Sequence, residues 1–126
     1  EEYGYNYRMS NVLAAIGVAQ MEVLEARVER RREIFSLYKQ YLDGISEISF
    51  MPEIEGSRGN RWLTTLILEH TNPLQLITAL SDENIESRQL WKPMHMQPLF
   101  AEVPAAIDGT SEGFFKTGIC PPSGSG

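Results

Sequence analysis

Ahead of a helical pattern, the stretch Tyr3-Gly4-Tyr5-Asn6-Tyr7-Arg8-Met9-Ser10-Asn11 gathers an amide, a guanidinium and three phenol rings. Asn6 and Arg8 occupy alternate positions, so in an extended backbone both leave the same face. Such a pair suits an anion: the guanidinium fork grips a phosphate bidentately and the amide adds a neutral donor. The competing reading makes the tyrosines core and Arg8 a solvated surface residue, and these residues alone do not separate the two. His95, between Pro93 and Pro98, is placed to donate to a hydroxyl or phosphate oxygen, or is simply a turn histidine. His70 reads as the end of a strand. Cys120 has no histidine near it in sequence and reads as a small packed hydrophobe rather than a nucleophile. His70, His95 and Cys120 lack the short ligand spacings of a zinc site, so no metal is expected.

The elements that must position these groups follow from periodicity. From about Ser10 to Leu42, Leu13, Gly17, Leu24, Val28, Phe35, Tyr38 and Leu42 fall near one stripe, which predicts a single long helix. Ser10 or Asn11 is its cap, and Asp43-Gly44 its stop, with Gly44 expected in the left-handed region. At 1.5 Å per residue such a helix extends roughly 48 Å. A compact domain of this size has a radius of gyration of about 14 Å. The helix therefore either bends or packs its first half on something outside this chain, and the small, apolar Ala14-to-Ala19 run favours the latter. Arg27, Arg30, Arg31 and Arg32 alternate with Glu25, Glu29 and Glu33, the pattern of a solvated face rather than a phosphate patch.

Further on, Glu47–Met51 reads as a half-buried strand ended by Pro52, and residues 55–60 as a loop. Trp62–Leu68 is apolar and β-branched enough for a central strand. Asn72-Pro73 opens a second helix reaching about Glu83. Ile85–Arg88 suggests a short strand, Gln89–Phe100 an irregular segment, and 101–107 a short helix or turn. Phe114-Phe115 starts a helix or turn, and Ile119-Cys120 a last strand. The order predicts an α+β domain with an antiparallel-rich sheet.

Composition sets limits. At 126 residues the chain makes one domain with a core of its own. A net charge of -6 argues against nucleic acid and against an anionic membrane surface. No apolar run approaches the roughly 20 residues of a membrane span. A single cysteine excludes an intrachain disulfide and fits a reducing, cytoplasmic setting.

Three blocks, in order across the whole chain, carry a resemblance. Gly4-Tyr5-Asn6-Tyr7-Arg8-Met9-Ser10 leads into Ala14-Ala15-Ile16-Gly17 and Ala19-Gln20. Glu86-Ser87-Arg88-Gln89-Leu90-Trp91-Lys92-Pro93-Met94-His95-Met96-Gln97-Pro98 is the second block, and Gly118-Ile119-Cys120-Pro121-Pro122-Ser123-Gly124-Ser125-Gly126 the third. Together they resemble the C-terminal part of the DegT-type, pyridoxal-phosphate-dependent nucleotide-sugar aminotransferases. Trp91-Lys92-Pro93-Met94-His95 is similar to the variant found in enzymes that aminate the 4-position of UDP-linked 4-keto-6-deoxy-N-acetylhexosamines.

The resemblance implies residues 1–126 of a longer protein, the C-terminal small domain of the aspartate-aminotransferase (type I) fold. A large cofactor-binding domain is then expected upstream and a final helix downstream. It implies pyridoxal 5'-phosphate as cofactor, glutamate as amino donor, a nucleotide sugar as substrate and a homodimer with shared sites. Asn6 is expected to reach the cofactor phosphate of the neighbouring subunit. Arg8 and His95 are expected on the nucleotide sugar, Arg8 at its diphosphate. Trp91 is either a stacking surface for uracil or a buried aromatic. Arg88 is either a contact to substrate or α-carboxylate, or a structural ion pair. None of Lys39, Lys92 and Lys116 has the Ser- and Gly-flanked setting of the family's Schiff-base lysine, so this piece alone is expected to be inert and to contain no catalytic residue. Two rivals stay open: a cofactor-free interaction module docking through the long helix, and a dehydratase branch of the same family.

Overall fold

The structure, a computed structural model, describes residues 4–125, so Tyr3 of the opening motif and Gly126 of the closing one lie outside the described residues. Helix α1 runs unbroken over Asn11–Leu42. Ser10 caps it, its Oγ accepting from the Leu13 amide at 3.3 Å, which satisfies one of the free N–H groups of the first turn. Its end differs from the expectation. Gly44 does not enter the left-handed region; instead the Asp43 amide bonds Lys39 O and the Ile45 amide bonds Leu42 O, closing the helix with a tightened turn.

Four short strands form one antiparallel sheet in the order β1-β2-β4-β3: β1 Ile48–Phe50, β2 Leu66–Leu68, β3 Arg88–Gln89 and β4 Gly118–Cys120. The register pairs Ser49 with Ile67, Leu66 with Ile119, and Arg88 with Cys120. All three residues of β4 are buried, so this strand is covered on both faces. Leu66, Leu68 and Ile119 are the buried centre, with Leu42, Ile48, Phe50, Leu76, Ile77 and Leu80 packed around them. The last three come from α2, Pro73–Asp82, which begins as its sequence predicts: Asn72 Oδ1 accepts from Leu74 N at 2.9 Å and Pro73 takes the first turn.

Two departures matter for function. Trp62–Leu68 supplies only Leu66–Leu68 to the sheet. Arg61 has a positive φ of 49° and the Thr64 amide donates to Ser123 Oγ at 2.9 Å rather than to a strand partner, so the chain turns before it pairs. After two short 3-10 turns at Met94–Met96 and Pro98–Phe100, residues 101–109 hold turns but no helix. Helix α3 spans Thr110–Thr117, beginning before Phe114 because Gly109 adopts a left-handed φ of 85° and Asp108 accepts from the Thr110 amide. It feeds directly into β4 at Gly118. A Cβ there would lie 2.0 Å from Leu90 Cδ1 and 2.5 Å from Phe114 O, so only glycine lets helix, strand and β3 meet so closely.

Candidate functional site

The opening motif stands clear of the sheet. Residues 4–10 are all exposed, Tyr5 and Tyr7 among them, which excludes these two tyrosines as core within this domain. Their rings lie 6.1 Å apart, as alternate residues of an extended segment can. Asn6 Oδ1 accepts from the Arg8 amide at 3.0 Å. A backbone N–H can only donate, so the atom facing it is the carbonyl oxygen and Asn6 Nδ2 is left as a free-facing donor. The Arg8 guanidinium makes no ion pair among the described residues. An amide donor and a guanidinium two residues apart, both in solvent, form a donor set that fits a phosphate and has no use for a cation.

The helix behind them is equally bare. No residue of α1 is fully buried, and Val12, Leu13, Ile16 and Met21 are all more than half exposed. The helix meets the rest of the chain from Glu25 onward, notably through Phe35 edge-on to Phe50 and Tyr38 Oη donating to Pro122 O at 3.0 Å. The arginine-rich part, expected to be a solvated face, is a docking surface instead. Arg32 holds Glu53, Arg31 Nη1 donates to Trp62 O, and Arg27 Nη1 donates to Ser125 O; of the four arginines only Arg30 stays within the helix, on Glu33. The reason is the chain's own loops, whose free carbonyls and one carboxylate outcompete the neighbouring glutamates. Arg58 repeats the device in reverse, reaching from the loop to Glu25 and Glu29.

A second locus lies at the sheet's end. Arg88 and Trp91 line one open cleft of about 820 Å3, together with Trp62, Ser87 and the Cys120–Ser123 segment, so the second and third sequence blocks converge there. Trp91 is 64% exposed, which removes the buried-aromatic reading within this domain; it stacks on Trp62 with centroids 5.8 Å apart and planes 29° from parallel. Arg88 takes part in an ion pair, Nη2 to Glu86 Oε1 at 2.6 Å, but both side chains are more than three-quarters exposed. Such a pair adds little to stability and is free to exchange for an anionic ligand. Cys120 is buried against this cleft and burial raises its thiol above the ordinary value, the state of a packed side chain and not of a nucleophile.

His95 is not part of that cleft. Its Nε2 lies 3.0 Å from Glu112 Oε1, and Glu112 also receives Lys116 Nζ at 3.4 Å. The hydrogen bond from His95, then that from Lys116, holds the Glu112 carboxyl below its usual range. This arrangement ties α3 to the turn at Met94–Met96 and fixes the ring by one nitrogen, leaving Nδ1 for another partner. His70 falls in the exposed bend after β2. Lys39, Lys92 and Lys116 are all exposed. No group of His, Cys, Asp and Glu suited to a metal occurs among the described residues. Nor is any described helix long and apolar enough to cross a membrane.

Sequence reasoning missed Trp62 and Ser87. Trp62 looked like strand, although the polar Asn60-Arg61 pair before it was a signal for a turn. The Ser87 hydroxyl is buried without a partner at the cleft, a feature no linear pattern reveals.

Known proteins place these features in context. The chain is 50% identical to the putative pyridoxal phosphate-dependent aminotransferase EpsN of Bacillus subtilis, over 98% of this chain and 33% of that protein. It is 36% identical to GDP-perosamine synthase of Vibrio cholerae, over 76% of this chain and 27% of the relative. Among solved structures, it superposes on Helicobacter pylori PseC, an aminotransferase involved in pseudoaminic acid biosynthesis, with a TM-score of 0.84 and 16% identity, over 99% of this chain and 35% of the other. At that identity the likeness speaks for the α+β fold alone. The chain thus spans about a third of the length of the relatives it matches. The sequence profile of one family covers residues 1–126 in full, and on that ground the chain belongs to the DegT/DnrJ/EryC1/StrS aminotransferase family.

Proposed function

We propose that this chain is the C-terminal small domain of a pyridoxal-phosphate-dependent aminotransferase that passes an amino group from glutamate to a nucleotide-linked 4-keto-6-deoxy sugar, in polysaccharide or glycan assembly in the cytoplasm. The observation that carries the reading is the Asn6 amide, whose acceptor is spent on the Arg8 N–H while its donor faces outward. That polarity suits phosphate oxygens, and Asn6 is the residue assigned to the cofactor phosphate of the neighbouring subunit in a homodimer. When bound, the cofactor supplies an aldehyde that carries the amino group and stores the electron pair of the cleaved C–H bond. The lysine that condenses with it is assigned to the rest of the protein.

Arg8 orients. A charge-assisted fork on the diphosphate, remote from the reacting carbon, fixes where the keto group lies without touching it. Arg88 offers a second fork once Glu86 releases it, to the sugar nucleotide or to the donor's α-carboxylate. His95, anchored by Glu112, presents its other nitrogen to a hydroxyl or phosphate oxygen. Trp91 gives an apolar wall.

The bare first half of α1 favours one rival, an interaction module without cofactor; family membership across the whole chain weighs against it. One assay separates all readings. Full-length protein is incubated with glutamate and a panel of UDP-, GDP- and dTDP-linked 4-keto-6-deoxy sugars, and 2-oxoglutarate and amino sugar are measured. Stoichiometric formation of both is expected. A deoxygenated keto sugar formed with 2-oxoglutarate and free ammonia, in place of an amino sugar, would point to the dehydratase branch, and a colourless protein that binds no cofactor to the interaction module.

A further inference from the structure

Two of the four arginines on α1 are left without a group of opposite charge. Arg30 and Arg32 reach Glu33 and Glu53, but Arg27 and Arg31 each spend one nitrogen on a neutral carbonyl, that of Ser125 and that of Trp62. Neither joins an ion pair among the described residues, and the nearby Glu25 and Glu29 are both taken by Arg58. Standing four residues apart, Arg27 and Arg31 share one face of the helix. They line a groove of about 410 Å3 between α1, the turn at Asn60 and Trp62, and Ser125. No aspartate or glutamate lines this groove, whereas Glu53 and Glu86 stand beside the arginines of the neighbouring hollows. In a chain of net charge -6, two uncompensated cations on one wall run against the overall balance.

The remaining polar groups of the groove are donors too. Asn60 Oδ1 accepts from the Trp62 amide at 3.0 Å, so its Nδ2 is left to donate. Gln20 adds a second amide. A guanidinium carries five donor hydrogens in a rigid fork; the carbonyl bonds hold each fork in place and occupy only part of it. Two clamped forks and an amide donor, with no carboxylate among them, are preorganised for a phosphoryl dianion, whose oxygens can accept from both forks at once. We propose that Arg27 and Arg31 form an oxyanion site for a phosphoryl group, with Asn60 Nδ2 as a third donor. Within the chain it is separate from the Asn6–Arg8 donor set, since α1 rises about 24 Å between Asn11 and Arg27. An occupied site ties α1 more tightly to the turn at Trp62 and to the Ser125 segment, which the same two arginines already hold.

The test is isothermal titration of the full-length protein, saturated with pyridoxal 5'-phosphate so that the cofactor's own phosphate site is filled. The probes are inorganic phosphate and glucose 1-phosphate, which separate free phosphate from a phosphate ester as the source. Binding of at least one is expected, weakened about tenfold by Arg27→Gln and unchanged by Arg8→Ala. Arg27→Lys keeps the charge without the fork and should fall in between. Asn60→Asp guards against a loss of fold: its carboxylate still accepts from the Trp62 amide but turns a negative charge to the groove, and should abolish binding. Binding of neither probe overturns the proposal. So does binding that survives both Arg27→Gln and Asn60→Asp, or that disappears with Arg8→Ala instead. The amination assay on the same preparation reads the proposed function separately, so either can fail alone.

Discussion

Glu53 takes both branches of the Arg32 guanidinium, Nη1 on Oε1 at 2.8 Å and Nη2 on Oε2 at 3.1 Å, and so bolts the loop after β1 to the middle of α1. The Gly59 amide adds a third hydrogen bond, and Arg61 completes the knot with one branch on Glu53 and its guanidinium 4.0 Å above the Phe35 ring. The left-handed backbone of Arg61 is held by these contacts, and it is the turn that presents Trp62.

Arg32, then the Gly59 amide, holds the Glu53 carboxyl down at about 2, against an ordinary 4.5. A carboxyl lowered in the folded state stabilises fully above its unfolded value and loses that contribution as pH falls through the folded one. Glu53→Gln should therefore be less stable than the unaltered protein at neutral pH, and the difference should shrink between pH 4.5 and 2. Urea midpoints of full-length protein across that window check it; a gap independent of pH would contradict it.

Ser123 and Thr64 make opposite predictions. Ser123 Oγ accepts from the Thr64 amide and donates to Pro121 O at 3.1 Å, all within the core. Ser123→Ala strands a buried N–H and should cost about 1–3 kcal/mol. Thr64 Oγ1, fully buried, has no partner among the described residues, so Thr64→Val removes an unsatisfied hydroxyl and should be neutral or stabilising. Denaturant midpoints decide; equal losses in both variants would show that packing alone matters here.

The role proposed for Arg8 is at the diphosphate and not at the reacting carbon. Steady-state kinetics of full-length Arg8→Ala should show KM for the nucleotide sugar raised roughly tenfold or more, with kcat little changed. A fall in kcat at constant KM would move Arg8 to the chemistry.

Much of the framework was readable because each feature had a local physical cause. Ser10 and Asn72-Pro73 announced the starts of α1 and α2, and the apolar Leu66-Ile67-Leu68 run announced the central strand. What stayed hidden depends on distant partners. Nothing near Trp62 in sequence says that Arg31 will hold its carbonyl, and Arg27, Arg31 and Arg32 looked solvated because their partners lie 21 to 98 residues away. Of the candidate site, Asn6 and Arg8 were proposed from residue type and spacing together with resemblance, whereas the meeting of Arg88, Trp91 and Trp62 at one cleft required the fold.

The central claim, that Asn6 serves the site of the other subunit, is tested most directly by complementation. Full-length Asn6→Asp, whose carboxylate repels phosphate, is mixed through co-expression with a variant lacking the Schiff-base lysine. Each is expected to be inactive alone. If Asn6 acts across the interface, each mixed dimer has one intact site, and random pairing should restore about a quarter of the unaltered activity. Mixed dimers that form but stay inactive would contradict the account.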